Sequence, residues 1–348
     1  MRSQTSGLDL LSEPAQGIGH VRATGPGSRF VEASLPPVGV ILNPRSHRNR
    51  HVRMSDFDLP GVTTVTPRTK PEIAEALKRF ADSRIGILAI GGGDGTVRDV
   101  LTRAAPIFGD NWPRIIVLPQ GKTNALAIDL GVPSKWTLRS ALEAARHGRT
   151  VVRHPLVVER RDGEVRSRFG FILGAGVFNP VIEAGQVAHR FGAFQSFAVG
   201  VTAVFGIIHA LCGWGNGPWR KLYSMRLTDA TSGQALPRSE HGERDARFLA
   251  AFTTLQQFPL GIRPFLEPED SRPIRYFLID APLRRAVAMF PQIMFGRAGE
   301  RLPELGMHRG AGVAFDVELA EGFILDGERF PPGSYCVSAG PAMPFVTP

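Results

Sequence analysis

Directly after the apolar run Gly86-Ile87-Leu88-Ala89-Ile90 the chain reads Gly91-Gly92-Gly93-Asp94-Gly95-Thr96, four glycines in six residues. Past this stretch, Val97, Val100, Leu101 and Ala104 recur at i, i+3, i+4 and i+7, the stripe of an amphipathic helix. Glycines let the backbone approach a ligand closely and aim several N–H groups at one point, and the helix that follows adds its partial positive end. A phosphate is the natural guest of that geometry. Asp94 would repel a phosphate touched directly, so its position points to a Mg²⁺ ion or a hydroxyl between them. The plainer alternative is a glycine turn in which Asp94 only caps the helix. The spacing matches neither Gly-x-x-x-x-Gly-Lys-[Ser/Thr] nor Gly-x-Gly-x-x-Gly.

Two more strand-to-loop junctions frame this one. Val38-Gly39-Val40-Ile41-Leu42 is stopped by Asn43-Pro44, and Arg114 to Leu118 runs into Pro119-Gln120-Gly121-Lys122-Thr123-Asn124. Helical spacing over Pro71 to Ala81, with Thr69 as cap, and over Leu138 to Ala145, with Thr137 as cap and Gly148 as stop, supplies the intervening helices. Strands alternating with helices predict an open, mostly parallel sheet with helices on both faces. In such sheets ligands bind beyond the carboxyl ends of the strands, where all three polar loops fall. Beyond about Thr150 the texture changes to short strand-like segments: Val151 to Glu159, Phe169 to Leu173, Arg247 to Leu255, Ile274 to Ile279, Gly312 to Leu319, Gly322 to Leu325 and Ser334 to Ser338. These predict a largely antiparallel β-sandwich with one apolar helical insertion around 186–211. The chain therefore divides into a Gly-, Ser- and Pro-rich flexible tail over 1–37, an α/β part over 38–150 and a β-rich part over 151–348. A cleft separates the last two, and the last strand is a candidate to return to the first sheet.

Composition narrows the function classes. Lys and Arg number 41 against 32 acids, a net charge of +9 that favours anionic partners. Two cysteines, Cys212 and Cys336, exclude a disulfide framework and a four-thiolate zinc site. The nine histidines show no zinc-ligand spacing. The N-terminal stretch lacks the apolar core of a signal peptide, and the most apolar segment, Phe197 to Leu211, is shorter than the roughly 20 residues of a membrane-spanning helix. A cytoplasmic protein is expected. Nucleic-acid binding is not, because the arginines are dispersed and no recognition helix or RNA-binding aromatic motif is present.

Taken together, the motifs resemble the diacylglycerol kinase catalytic-domain family. Gly92-Gly93-Asp94-Gly95-Thr96 is similar to the nucleotide loop that this family shares with NAD kinases. Three further segments favour the lipid kinases. Asn43-Pro44-Arg45-Ser46 resembles the family's Asn-Pro-x-Ser-Gly, and Pro119-x-Gly121-x-x-Asn124-x-x-Ala127 resembles its Pro-x-Gly-Thr-x-Asn-Asp-x-Ala. Ile324-Leu325-Asp326-Gly327-Glu328 resembles its Asp-Gly-Glu near the C-terminus, and Gly340-Pro341-Ala342-Met343 suits its final strand. The resemblance implies an ATP-dependent kinase for a lipid hydroxyl, with the nucleotide between the α/β and β-sandwich parts. It places Asn43, Ser46, Thr66 and Asn124 at the nucleotide and has Gly92, Gly93, Asp94, Gly95 and Thr96 cradle the phosphates. Asp94 would act through Mg²⁺. The Asp-Gly-Glu turn would supply the base, with Glu328 the first choice and Asp326 the second. By itself that pair also reads as an exposed hairpin turn with solvated acids.

Departures from the family pattern bear on the nucleotide and the acceptor. His47 stands where the family has Gly, with Arg45, Arg48 and Arg50 around it; Lys122 replaces a Thr, Ala125 an Asp, Asp99 a Glu, and Asn179 the Asp of a Gly-x-Gly-x-Asp stretch. Lys122 at a strand end suits a phosphate oxygen, the alternative being a surface lysine. The apolar 193–211 stretch, bracketed by Arg190 and by Trp214, Trp219, Arg220 and Lys221, reads either as a core helix or as a wall for lipid chains. Arg284-Arg285 followed by Ala286-Val287-Ala288-Met289-Phe290 has a similar look. The default acceptor is diacylglycerol and the second a ceramide or sphingoid base, reached at the anionic inner face of a membrane. An NAD kinase-like enzyme and a non-catalytic lipid-binding relative remain as alternatives, and a homodimer is kept open.

Overall fold

A computed structural model describes residues 35–46, 54–162, 167–180, 221–297 and 301–348. Residues 1–34 of the expected 1–37 tail, the 193–211 stretch with its flanking Arg190, Trp214, Trp219 and Arg220, and His47, Arg48 and Arg50 lie outside the described residues, whereas the Pro37 carbonyl accepts from Gly86 N–H at 2.9 Å and so is tied to the sheet.

The first sheet is built from β1 (Val38–Leu42), β2 (Val62–Val65), β3 (Ile87–Gly92) and β4 (Arg114–Pro119), all parallel neighbours, with β5 (Thr150–Arg153) at the far side. Side chains alternate across its two faces, as strand geometry demands. Ile41, Leu88, Ile90, Ile115 and Val117 pack with α1 (Lys70–Asp82) and α2 (Asp94–Phe108), whereas Val38, Val40, Ile87, Ala89 and Ile116 pack on α4 (Leu138–Arg146). Between β4 and α4 lies the short α3 (Ala125–Asp129). Helix α1 begins at Thr69, whose hydroxyl accepts from the Glu72 N–H, and α4 begins with a capping box of Thr137 and Ser140.

Two six-stranded antiparallel sheets follow. One runs β10 (Ala246–Arg247), β9 (Tyr223–Asp229), β14 (Ala314–Leu319), β17 (Gly333–Ala339), β6 (Leu156–Arg160) and β7 (Arg168–Gly170). The other runs β13 (Met307–Gly312), β12 (Ile274–Ile279), β11 (Leu249–Thr253), β8 (Ile172–Gly176), β15 (Phe323–Leu325) and β16 (Glu328–Phe330). Their facing sides share a core that includes Val158, Leu173, Phe252, Tyr276, Phe315 and Val337, with the Phe252 and Phe315 rings 5.3 Å apart. A further helix, α5 (Arg284–Met294), follows β12. The architecture is the expected parallel α/β sheet followed by antiparallel sheets, and β18 (Met343–Val346) inserts into the first sheet between β4 and β5.

Four segments read as single strands divide between sheets: Arg247 lies in β10 and Leu249 opens β11, Gly312 ends β13 and Ala314 opens β14, and two others divide more evenly. Val151 to Glu159 becomes β5 and β6, broken at His154-Pro155, because Pro155 has no N–H for a ladder. Phe169 to Leu173 becomes β7 and β8, and Phe171 between them turns into the core beside Phe345, with ring centroids 6.3 Å apart. Strands β9 and β13 carry no signal in the sequence reading.

Candidate active site

Because β1, β2, β3 and β4 are parallel, the loops after Leu42, Val65, Gly92 and Pro119 emerge at one edge. The Asn43 Nδ2 donates to Thr96 Oγ1 at 2.8 Å, and Ser46 Oγ donates to the Gln120 carbonyl at 2.8 Å. The first loop is thus tied to the second and the third. The second and third meet backbone to backbone: a Cβ on Gly121 would stand 2.4 Å from Gly93 Cα, so both positions require glycine. Asn124, left-handed at φ 52°, closes the third loop by accepting from Gly121 N–H at 2.8 Å and donating to the Gly121 carbonyl at 2.9 Å. Gly92 ends β3, Gly93 caps α2, and Asp94, Gly95 and Thr96 form the helix's first turn. Thr66 lies exposed just past β2, and Lys122 is exposed on the third loop.

Asp94 points from the helix start toward α3, where Leu126 N–H donates to its Oδ1 at 3.2 Å. Asp94 is half-buried. Burial raises its pKa above the usual carboxylate value, against the backbone amides of Ala125 and Leu126 that favour the charged form.

Opposite it stands the hairpin turn Leu325-Asp326-Gly327-Glu328. Leu325 pairs with Glu328, leaving Asp326 and Gly327 as a two-residue loop at φ 47° and 80°, the backbone for which an Asp-Gly pair is suited. The turn sends its two acids apart. The Asp326 carboxylate turns inward and accepts from Phe171 N–H at 3.0 Å and Ile172 N–H at 3.0 Å. Gly170 makes room for it, since a Cβ there would lie 2.9 Å from Asp326 Oδ2. Burial and the nearby charge of Asp94 push the Asp326 pKa up to about 7, opposed by the two amides and by Arg98. Glu328 turns the other way. Its Oε2 pairs with Arg98 Nη2 and its Oε1 lies 3.7 Å from Lys70 Nζ. The two acids therefore occupy different chemical settings: one, half-buried, turned onto the Phe171 and Ile172 amides, one held as a counter-ion between α1 and α2.

Arg98, Lys70, Gly170 and the Phe171 and Ile172 amides were not singled out from sequence. Arg98 alone carried a usable signal, one helical turn beyond Asp94 and on the same face. Asn179 is buried and donates to the Gly322 carbonyl, away from the loops. As for a metal, the carboxylates of Asp94 and Asp326 are hard oxygen donors of the kind Mg²⁺ takes, and Mg²⁺ commonly needs only one or two beside water and phosphate. Among the described residues no group of three or more His, Cys, Asp or Glu is placed to hold a metal by itself.

Residues 37–154 match the family model described as the diacylglycerol kinase catalytic domain. A curated diacylglycerol kinase of Bacillus subtilis is 33% identical over 109 residues, covering 29% of this chain and 35% of that protein. The probable lipid kinase YegS of Escherichia coli O127:H6 is 32% identical over 124 residues, 34% of this chain and 40% of its own. These matches span about a third of the relatives' length. A crystal structure described as a diacylglycerol kinase from Bacillus anthracis str. Sterne superposes with a TM-score of 0.60 at 14% identity, covering 90% of this chain and 97% of that one. That likeness speaks to the fold.

Proposed function

We propose that this chain, whose residues 37–154 match the model of the diacylglycerol kinase catalytic domain, transfers the γ-phosphate of ATP to a hydroxyl of a lipid. The observation that carries the reading is the pair of carboxylates, Asp94 on the glycine-loop helix and Asp326 on the hairpin turn, near enough for one charge to raise the other's pKa. Phosphoryl transfer asks for little else from a protein: phosphates positioned, charge neutralised, and one carboxylate to orient the nucleophile.

In this mechanism the Gly93–Thr96 turn and the third loop hold the triphosphate, with Asn43 and Ser46 fixing the loops to each other. Asp94 would hold Mg²⁺, which when bound neutralises phosphate charge. Asp326 accepts the proton of the lipid hydroxyl as its oxygen bonds to the γ-phosphorus and the bond to the β-phosphate oxygen breaks, releasing ADP. A base working near neutral pH needs a pKa near 7, and the value of about 7 fits that task. Glu328, first choice from sequence, is already engaged by Arg98 and Lys70, so the base is assigned to Asp326 and Glu328 to holding the turn. Lys122 is assigned to the phosphates and Thr66 to the nucleotide's rim.

The acceptor we propose is diacylglycerol, with a ceramide or sphingoid base as the alternative, taken up by a protein bound peripherally to an anionic membrane face. The charge of +9 supports that placement, and among the described residues no helix is long and apolar enough to cross a membrane. Labelled ATP offered with diacylglycerol, ceramide, sphingosine and undecaprenol side by side tests the reading. Label in a lipid product is expected. Label transferred to soluble NAD without lipid would replace it with a nucleotide kinase, and lipid binding without turnover would leave only a binding protein.

A further inference from the structure

Resting on Asp326 as proton acceptor, we infer that Arg98 is a positioning residue that fixes the Asp326 carboxylate opposite Asp94 by gripping the hairpin turn on both sides. Arg98 is 4% exposed, although it carries a guanidinium. A buried charge of that kind is costly unless paired and fully hydrogen-bonded, so its partners reveal its work. Nη1 donates to the Leu325 carbonyl at 3.0 Å, just before Asp326. Nη2 pairs with Glu328 Oε2, just after Gly327, and also reaches Asp99 Oδ1 at 3.3 Å. The guanidinium carbon lies 5.9 Å from the centroid of the Phe330 ring, farther along the same hairpin. One side chain thus holds the two residues that bracket the Asp326-Gly327 loop.

The same side chain sits four residues after Asp94 on α2, about 6 Å along the helix axis and on the same face. Helix α2 therefore carries both the phosphate-side acid and the grip on the turn that presents the other acid. The helix acts as a rigid spacer, and a displacement of the order of 1 Å between reacting groups is enough to cost about 10²-fold in rate. Asp326 itself is a non-glycine residue at positive φ, a conformation that persists only where the surroundings hold it. Among charged groups near the turn, Asp94 raises the proton affinity of Asp326 and Arg98 lowers it. Lys70, Asp99 and Glu328 belong to Arg98's own network, and Arg103 extends it through Asp99.

The test compares Arg98→Met and Arg98→Lys with the parent protein by urea unfolding and by kcat and KM for ATP. For Arg98→Met, kcat should fall on the order of 10²-fold while KM for ATP stays within about threefold. Arg98→Lys retains the charge and loses the two-sided grip, so it should lower kcat with the same unchanged KM. If Arg98→Met does not fold, Arg98→Lys alone decides. Parent-like kcat in either variant, or a KM for ATP that rises in step with the fall in kcat, overturns the inference. Loss of turnover in Asp326→Asn alongside those results would sink only the role of Arg98, whereas turnover surviving in Asp326→Asn would sink the base assignment beneath it.

Discussion

Replacing Asp326 by Asn separates catalysis from stability in opposite directions. The amide oxygen can still accept from the Phe171 and Ile172 N–H groups, so the turn keeps its two anchoring bonds. What disappears is a carboxyl whose pKa is moved from 3.8 to about 7 by burial and by Asp94. At roughly 1.4 kcal/mol per pH unit that displacement stands for about 4 kcal/mol, and solvent at this half-buried residue trims it to about 2–4 kcal/mol. The folded pKa lies above the unfolded one. The folded protein therefore keeps its full stability below about pH 4, where Asp326 is neutral in both states, and loses it steadily up to about pH 7. Asn cannot ionise and escapes that loss. Urea unfolding followed by tryptophan fluorescence, without nucleotide, should thus show the variant close to the parent at pH 4.5 and more stable by about 2–4 kcal/mol at pH 8. In a labelled-ATP assay at pH 8 the same variant should turn over about 10²–10⁴-fold more slowly, the usual contribution of a general base. A stability difference independent of pH would refute the raised, charge-coupled carboxyl, and turnover within threefold of the parent would refute the base.

Other substitutions probe the remaining parts. Asp94→Asn should keep its bond from Leu126 N–H and its fold while turnover falls at least about 10²-fold; parent-like activity at saturating Mg²⁺ would remove Asp94 from the phosphate side. Gly121→Ala drives a Cβ against Gly93 Cα, so about 1–3 kcal/mol of stability and at least tenfold in ATP affinity should be lost, read by thermal unfolding and nucleotide titration. Glu328→Gln retains an acceptor for Arg98 and gives up a half-exposed ion pair with Lys70; a stability loss of about 1 kcal/mol and turnover within about tenfold are expected, and a thousandfold drop would return the base to Glu328.

The sheet edge with the three polar loops is legible because its signals are local. A buried strand, a glycine loop and a 3.6-residue stripe each announce themselves within a dozen residues, and Thr69 and Thr137 mark helix starts that the structure keeps. The hairpin was legible in outline for the same reason, since Asp326-Gly327 is a turn signal in itself. The different settings of Asp326 and Glu328 are not, because they turn on contacts with Arg98 at separations of 227 and 230 residues. The division of 151–159 and of 169–173 between sheets escaped notice too: an apolar run states that a strand is buried, not which neighbour buries it.

The strand β18 has a consequence for how such a chain is made. Its Phe345 is wholly buried between β4 and β5 and pairs with Ile115 and Val151. A ribosome delivers β1 to β4 long before it delivers residue 345, so the emerging parallel sheet waits with a vacant slot beside β4 until nearly all the antiparallel sheets have been synthesised. Contacts this distant slow folding. Nascent chains stalled before residue 343 should stay protease-sensitive in their first half, and that half gains its last strand only once the rest has been made.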